Sequence, residues 1–197
     1  MVFAMKFVMS ENHRCFTFVL LFALCFIANS SFALPQIKNN DFNGNINNWT
    51  TTAPVTGGYG STVDYNTNDL RIYGNHNGGM LSGNRTYDGM ARQDIITVSG
   101  PVNAHIEWGY WCNNKDVTLY LVLGPSGGNL TGTQLFGAKL ANNQLNGNRT
   151  ATYDITYTPS STETLAIKVS ASASLGRGKN YTARFQYVRV NLSPTGL

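Results

Sequence analysis

The side chains able to carry acid–base or metal chemistry are few in this sequence. Beyond residue 33 the chain has nine carboxylates and two histidines, His76 and His105. None of the spacings His-x-x-x-His, Glu-x-x-His or Cys-x-x-Cys occurs, so the sequence gives no support to a zinc site. We therefore predict a protein that is not an enzyme and that carries no cofactor.

Two kinds of enzyme stay open as alternatives. A glycosidase needs two carboxylates that face each other across a cleft, and spacing alone does not show whether any pair does so. The carboxylates in question are Asp64, Asp69, Asp94, Glu107 and Asp116. A polysaccharide lyase needs a base and an arginine, and Arg71, Tyr73 and His76 lie close enough in sequence to be considered for those roles. The simpler interpretation places Arg71 and Tyr73 on an outer strand face and His76 in a solvated loop.

Exposed aromatic residues favour a binding function over a catalytic one. If Ile106, Trp108, Tyr110 and Cys112 point inward, strand alternation makes Trp111 point outward. The same reasoning places Tyr120 and Tyr73 outward on other strands. Rings of this kind stack on sugar C–H groups while neighbouring polar side chains bond the hydroxyls. The predicted carbohydrate-binding residues are Trp111, Tyr120, Tyr73, Arg71, Glu107 and Asp69, with Tyr59 as a mobile wall.

Short alternating runs separated by turn residues must position these side chains. Apolar residues alternate with polar ones around Leu70, Trp108, Leu121, Ile167 and Val190. Runs such as Gly57-Gly58, Asn113-Asn114 and Gly124–Gly128 lie between them and favour turns. No amphipathic helix is convincing after Ala33. This pattern predicts an all-β fold, an antiparallel β-sandwich with one sheet face of each strand buried.

The N-terminus has the features of a secretion signal. Lys6 and Arg14 precede an uncharged apolar stretch, Phe16–Ala28, and Ser31-Phe32-Ala33 offers a cleavage site. The stretch has 13 residues, which is too short for a stop-transfer helix. We therefore expect residues 1–33 to be removed, residues 34–197 to form a single domain, and the protein to be secreted without stable membrane insertion.

Charge and cysteine content exclude further classes of partner and site. The formal net charge is +4, and the closest basic cluster is only Arg177-Gly178-Lys179. This charge is too weak and too evenly spread to predict nucleic-acid binding. Cys112 is the one cysteine beyond residue 33, so it has no internal disulfide partner, and we expect it to be buried.

Three segments resemble a known family. The opening Ile37–Gly44 with Trp49, the strand Gln93–Ile96, and the ending Phe185–Leu192 are similar to the jelly-roll carbohydrate-binding modules attached to bacterial cellulases and xylanases, which share the galactose-binding-domain-like fold. The resemblance implies a sandwich that binds a polysaccharide or glycan. The opening itself predicts that Phe42 and Trp49 insert into the sandwich on either side of an Asn/Gly turn.

Many members of that family hold a structural calcium between an acid of the opening and an aspartate of the last strand. Here Asn43 and Val188 stand at those positions. Calcium requires several oxygen ligands including carboxylates, so we expect the calcium site to be weak or absent.

The sequence therefore predicts a secreted, lectin-like module that binds carbohydrate without catalysis. A secreted structural or adhesive protein that binds protein partners is the first alternative, and a jelly-roll polysaccharide lyase is the second. The oligomeric state is not predicted.

Overall fold

The computed structural model describes residues 37–38, 40–54, 59–78, 83–127, 132–139 and 147–195, all within the compact unit Leu34–Leu197. In these ranges the chain forms eleven β-strands and no helix. The strands are β1 (Thr50–Thr52), β2 (Tyr59–Gly60), β3 (Thr62–Asn66), β4 (Asp69–Asn75), β5 (Arg85–Val98), β6 (Val102–Cys112), β7 (Val117–Pro125), β8 (Thr133–Lys139), β9 (Arg149–Tyr157), β10 (Glu163–Leu175) and β11 (Asn180–Pro194).

The strands form two sheets. Sheet A has the order β1-β5-β10-β7-β8, with β2 also pairing with β5. Sheet B has the order β3-β4-β11-β6-β9. Every pairing is antiparallel except that of the two-residue strand β2 with β5.

The order of pairing identifies a jelly roll. From β4 onward the pairings are nested, with the outermost strands of the sequence paired with each other and the innermost likewise: β4 with β11, β5 with β10, β6 with β9, and β7 with β8. Such nesting is one long hairpin wrapped into two facing sheets, which is the jelly-roll arrangement. The predicted fold class, an antiparallel jelly-roll β-sandwich, is confirmed.

The core lies between the sheets and consists of the alternate residues that the sequence predicts to be buried. In sheet B, Ile106, Trp108 and Cys112 are fully buried, and the Trp108 ring lies 4.6 Å from that of Tyr110 and 5.9 Å from that of Phe185. In sheet A, Leu121 and Ile167 are equally buried. Because this alternation fixes which side chains point inward, it also fixes which point to the outer faces.

The opening segment closes the sandwich as predicted. Phe42 and Trp49 are both buried, with ring centroids 5.2 Å apart. Gln93 holds the segment against β5: its Nε2 donates to the carbonyls of Lys38 and Asn48, and its Oε1 accepts from the Lys38 amide at 2.7 Å. Gln93, which begins the middle segment of the family resemblance, therefore fixes the opening segment to β5.

One prediction about the loops is wrong. His76 does not lie in a solvated Gly/Asn loop; it is fully buried, its ring packs edge-on against Tyr87, and its Nδ1 lies 3.3 Å from the Tyr87 hydroxyl. Backbone bonds to Lys179 and Gly178 hold this segment inside the end of sheet B. The run of Gly and Asn residues around His76 masks this burial in the sequence.

Cys112 is buried, as expected, and its pKa is raised to about 11 chiefly by burial. In the described part of the chain there is no helix with the length and hydropathy needed to cross a bilayer.

Candidate functional site: the outer face of sheet B

A row of four side chains crosses the outer face of sheet B. Asp64 pairs with Arg71, Arg71 with Arg184, and Arg184 with Trp111 on adjacent strands β3, β4, β11 and β6. Directly opposed residues of neighbouring strands share one face of a sheet. We call this row, together with Tyr73 and Asp69 on β4, the aromatic patch.

The two arginines of the aromatic patch are held differently. Arg71 donates from Nε and Nη2 to the two carboxylate oxygens of Asp64, at 2.8 and 2.6 Å. Arg184 lies over the Trp111 ring, 5.1 Å from its centroid, and reaches Asp69 only at 3.9 Å. Its Nε is buried and has no hydrogen-bond partner among the described residues. Arg184 is therefore held mainly by the indole ring.

The carboxylate of Asp69 is the most enclosed acid of the aromatic patch. Its side chain is 15% exposed, and burial raises its pKa more than the nearby Arg184 lowers it. Arg71 in turn is stabilised as a cation by its hydrogen bonds to Asp64, which raise its pKa. The positive and negative charges of the aromatic patch balance each other.

The centre of the face is covered by a tyrosine lying over a glycine. Tyr187 pairs with Gly109, and a β-bulge between Phe185 and Tyr187 places the tyrosine on the outer side. A Cβ built on Gly109 would come within 2.6 Å of Tyr187 Cε1. Arg189 stacks over the same ring at 4.5 Å and donates to Asp41 from Nε and Nη2.

The far end of β6 carries a second, more polar cluster. His105 Nδ1 lies 2.6 Å from Asp154 Oδ1 on β9, and its Nε2 lies 3.3 Å from Glu107 Oε1. Both carboxylates raise the pKa of the imidazole, and the bond to Asp154 has the larger effect. Beside His105 is a depression of about 380 Å³. Its side-chain lining on this face is Asn103, His105, Asp154, Thr156, Asn191 and Ser193.

The structure brings most of the predicted binding residues together. Trp111, Tyr73, Arg71 and Asp69 lie in the aromatic patch, and Glu107 lies on the same face toward His105. Trp111 is partly exposed, in contrast to the buried Trp49 and Trp108. The alternation of β4 and β6 predicts that these side chains point outward, and the pairing of both strands with β11 brings them onto one face.

Two predicted residues lie elsewhere. Tyr120 does not share the face with Trp111; it belongs to β7 of sheet A and pairs with Ser170 and Gly137. The alternation in β7 indicates an outward tyrosine but not the sheet to which it belongs. Tyr59 is at the edge of sheet A, 47% exposed, with Arg85 over its ring at 4.4 Å.

Of the three residues considered for a lyase, Arg71 and Tyr73 lie together in the aromatic patch, with the guanidinium carbon 5.9 Å from the ring centroid, and only His76 is separated from them by burial. Arg71 is engaged by Asp64, while His76 is buried beside Tyr87. Of the carboxylates considered for a glycosidase, Asp64, Asp69 and Glu107 lie on the outer face of sheet B, each with an arginine beside it. The other two lie elsewhere: Asp94 accepts a bond from Ser126 on sheet A, and Asp116 lies in the β6–β7 loop.

Ser126 matches the sequence motif of a nucleophilic serine but not the structure that accompanies it. Gly124–Gly128 reads Gly-x-Ser-x-Gly, which in hydrolases forms a sharp turn between a strand and a helix. Here Ser126 follows the antiparallel strand β7, and its hydroxyl donates to Asp94 Oδ1 at 2.6 Å. The histidine that such a serine requires is not among its hydrogen-bond partners in the described residues.

Three residues of this face were not predicted. Arg184 and Tyr187 lie on β11, where the bulge shifts the alternation by one residue, so that Phe185 and Tyr187 face opposite sides. The sequence identifies His105 only as one of the two histidines beyond residue 33. The alternation of Ile106 with Glu107 would have placed His105 outward, but its partner Asp154 is 49 residues away.

The residues near the opening do not fit the calcium site that the family resemblance implies. Val188 is fully buried in the core and supplies no side-chain oxygen. Asp41 is engaged by Arg189 at 3.0 Å. Among the described residues no group of three His, Cys, Asp or Glu side chains is arranged to hold a metal ion.

No protein-family model matches the chain, and no curated relative matches it. Among solved structures it is similar to a CBM4 structure, with 14% identity and a TM-score of 0.45 over 74% of this chain and 95% of that chain. It is also similar to TmCBM61 in complex with β-1,4-galactotriose, with 12% identity and a TM-score of 0.36 over 78% and 95% of the two chains. A third similar structure is the Stig cyclase Fisc from Fischerella sp. TAU, with 14% identity and a TM-score of 0.43 over 85% and 100%. The structures similar to this chain therefore include carbohydrate-binding modules and also enzymes.

Proposed function

We propose that this protein binds a glycan, without acting on it chemically, through the outer face of sheet B. The observation that carries the proposal is the aromatic patch: Trp111 is partly exposed and lies beside Arg184, whose guanidinium is held by the indole ring at 5.1 Å. Indole and guanidinium together offer an apolar surface for sugar C–H groups and N–H donors for sugar hydroxyls.

The expected affinity is modest. One stacked sugar face removes about 50 Å² of apolar area from water, which contributes about 1 kcal/mol. Two or three such contacts with added hydrogen bonds give a dissociation constant in the range of about 1 mM to about 1 μM. Firm attachment therefore depends on several modules binding the same polymer.

The charges of this face favour a neutral glycan. Arg71 is paired with Asp64, Arg184 faces Asp69, and Arg189 is paired with Asp41. Because each of these cations already has a carboxylate beside it, the face has no excess positive charge for a polymer of uronic acids or for nucleic acid. This arrangement also argues against the lyase alternative, which requires an arginine to neutralise the substrate acid.

Retention on insoluble polysaccharides tests the proposal, with Trp111→Ala compared against Tyr120→Ala. Both residues are partly exposed aromatics, but Tyr120 lies on the other sheet. We expect Trp111→Ala to lower affinity about five- to tenfold, the loss of about 1 kcal/mol, and Tyr120→Ala to leave it unchanged. Thermal unfolding of both variants checks that each is folded.

Two results would contradict the proposal. One is that the unmodified protein is retained on no insoluble polysaccharide and binds no glycan on an array, which would favour the adhesive alternative. The other is equal loss of retention in both variants, which would remove the aromatic patch from the binding site.

We also propose that the protein is exported, with residues 1–33 removed. N-terminal sequencing of the secreted protein would then begin at Leu34, and a mature chain that retains Phe16–Ala28 would contradict this.

A further inference from the structure

The polar depression beside His105 lies on the same face as the aromatic patch but at the opposite end of β6. Trp111 and His105 are six residues apart on this strand, which corresponds to about 20 Å at the usual rise per residue. The rows between them are those of Gly109 and Glu107, whose partners on β11 are Tyr187 and Arg189.

The side chains around the polar depression are oriented by one another. Thr156 Oγ1 donates to Asn103 Oδ1 at 2.9 Å across β9 and β6. Because the amide oxygen accepts this bond, the Asn103 amide nitrogen is the atom directed away from Thr156. Asn191 is opposite His105, and Ser193 is opposite Asn103, on β11. The result is a set of amide and hydroxyl groups on one strip of sheet surface.

The aromatic rings that define the aromatic patch are not part of this lining. The depression is lined by polar side chains and by the strand segments at Ala104, Ile155 and Leu192. A ligand there is held by hydrogen bonds rather than by ring stacking. Amide, hydroxyl and carboxylate groups in such a set bond to vicinal hydroxyls, which are both donors and acceptors.

We infer that the polar depression is a second subsite, which binds the hydroxyl groups of a neutral sugar unit by hydrogen bonds. This inference rests on the proposed function, because it concerns the same face. A ligand that fills both the aromatic patch and this subsite spans about 20 Å along β6, so it must be an extended oligosaccharide. Short saccharides reach only one of the two.

Protonation of His105 makes sugar binding at this subsite depend on pH. A neutral imidazole has one N–H and donates to either Asp154 or Glu107, whereas the protonated ring donates to both. The other charged groups of this cluster are Arg189, which lies 3.6 Å from Glu107, and Asp41 beyond it; Asn191, opposite His105 on β11, is neutral. Protonation therefore engages the second carboxylate as well, which a sugar hydroxyl would otherwise use as an acceptor, and binding weakens as the pH falls.

Loss of binding at low pH is distinct from unfolding. The pKa of His105 is raised by Asp154 and Glu107. A group with a raised pKa contributes stability that is fully present below its unfolded-state pKa and is lost as the pH rises through its folded-state pKa. This histidine therefore does not destabilise the fold under the acidic conditions that weaken sugar binding.

A length series tests the subsite. Binding of soluble cello-, xylo- and galacto-oligosaccharides, from disaccharide to hexasaccharide, is measured by calorimetry for the full protein and for Asn103→Ala/Asn191→Ala. Affinity of the unmodified protein rises with length for the saccharide type that binds. In the double variant we expect affinity for the hexasaccharide to fall about tenfold, at a factor of a few for each lost hydrogen bond, so that the length dependence is lost. Thr118→Ala, on the outer face of sheet A, is the matched control.

His105→Gln adds an independent readout, because glutamine keeps one donor but does not titrate. We expect hexasaccharide affinity of the unmodified protein to fall on acidification and that of His105→Gln to be flat. The subsite would be contradicted if affinity rose with saccharide length in the double variant as it does in the unmodified protein. It would also be contradicted if the affinity of His105→Gln changed with pH as that of the unmodified protein does. Neither result would alter the outcome for Trp111→Ala. Absence of saccharide and polysaccharide binding in the unmodified protein would overturn the proposed function as well.

Discussion

Gly109→Ala tests how the aromatic surface of sheet B is built. The new Cβ would lie 2.6 Å from Cε1 and 3.0 Å from Cδ1 of Tyr187. Because ordinary carbon contacts are about 3.5–4.0 Å, the ring must lift by about 1 Å. Overpacking of this size costs about 1–3 kcal/mol, and the stacking of Arg189 on the ring is disturbed too. We expect the free energy of unfolding to fall by that amount and Tm to fall by about 3–10 °C.

The effect of Gly109→Ala on the free energy of unfolding should change sign when the Tyr187 ring is removed. In a Tyr187→Ala background the two ring atoms are gone, and of the three nearest atoms only Gln186 Oε1 remains, at 2.9 Å, at the mobile end of a flexible side chain. Glycine within a strand is less stable than alanine by about 0.5–1 kcal/mol, so Gly109→Ala should then be neutral or stabilising. Urea unfolding of the four proteins in the cycle measures this. Equal destabilisation in both backgrounds would refute the packing of Tyr187 on Gly109.

Three further predictions concern stability and reactivity. Tyr181→Phe removes a buried hydroxyl that lies 2.8 Å from Ser61 Oγ, so the free energy of unfolding in urea should fall by about 1–3 kcal/mol; an unchanged midpoint would contradict the bond. Arg71 and Asp64 have side chains that are 28% and 35% exposed. A double-mutant cycle on this pair should give a coupling free energy of at most about 1 kcal/mol. A larger value would show that solvent screens the pair less than its exposure indicates. The Cys112 thiol, with its pKa raised to about 11 by burial, should react with a disulfide reagent far more slowly in the native protein than in urea, and equal rates would contradict its burial.

Strand alternation predicted the parts of the fold that depend only on local sequence. The inward positions of β6, β7 and β10 follow directly from their apolar residues, such as Trp108, Leu121 and Ile167. The opening Phe42 and Trp49 were likewise predicted as core residues. The two-sheet sandwich follows because so many strands with one apolar face must bury it against another sheet.

The parts that were not predicted depend on long-range pairing. β5 pairs with β10 over thirteen positions. The residues of β5 nevertheless do not alternate clearly between apolar and polar, because polar residues such as Asp88 and Gln93 are buried. The assignment of Tyr120 to sheet A depends on the nesting of β7 with β8 and β10. The bulge at Phe185 and Tyr187, which creates the centre of the candidate site, leaves no signal in residue type.

The three tryptophans provide the most direct test of glycan binding at sheet B. Trp49 is 7% exposed and Trp108 is fully buried, whereas Trp111 is partly exposed on the outer face. Titration of the ¹⁵N-labelled protein with a soluble oligosaccharide of the type that binds should shift the Trp111 indole N–H resonance and leave the other two in place. Shifts confined to sheet A, with the Trp111 resonance unchanged at saturation, would contradict glycan binding at the outer face of sheet B.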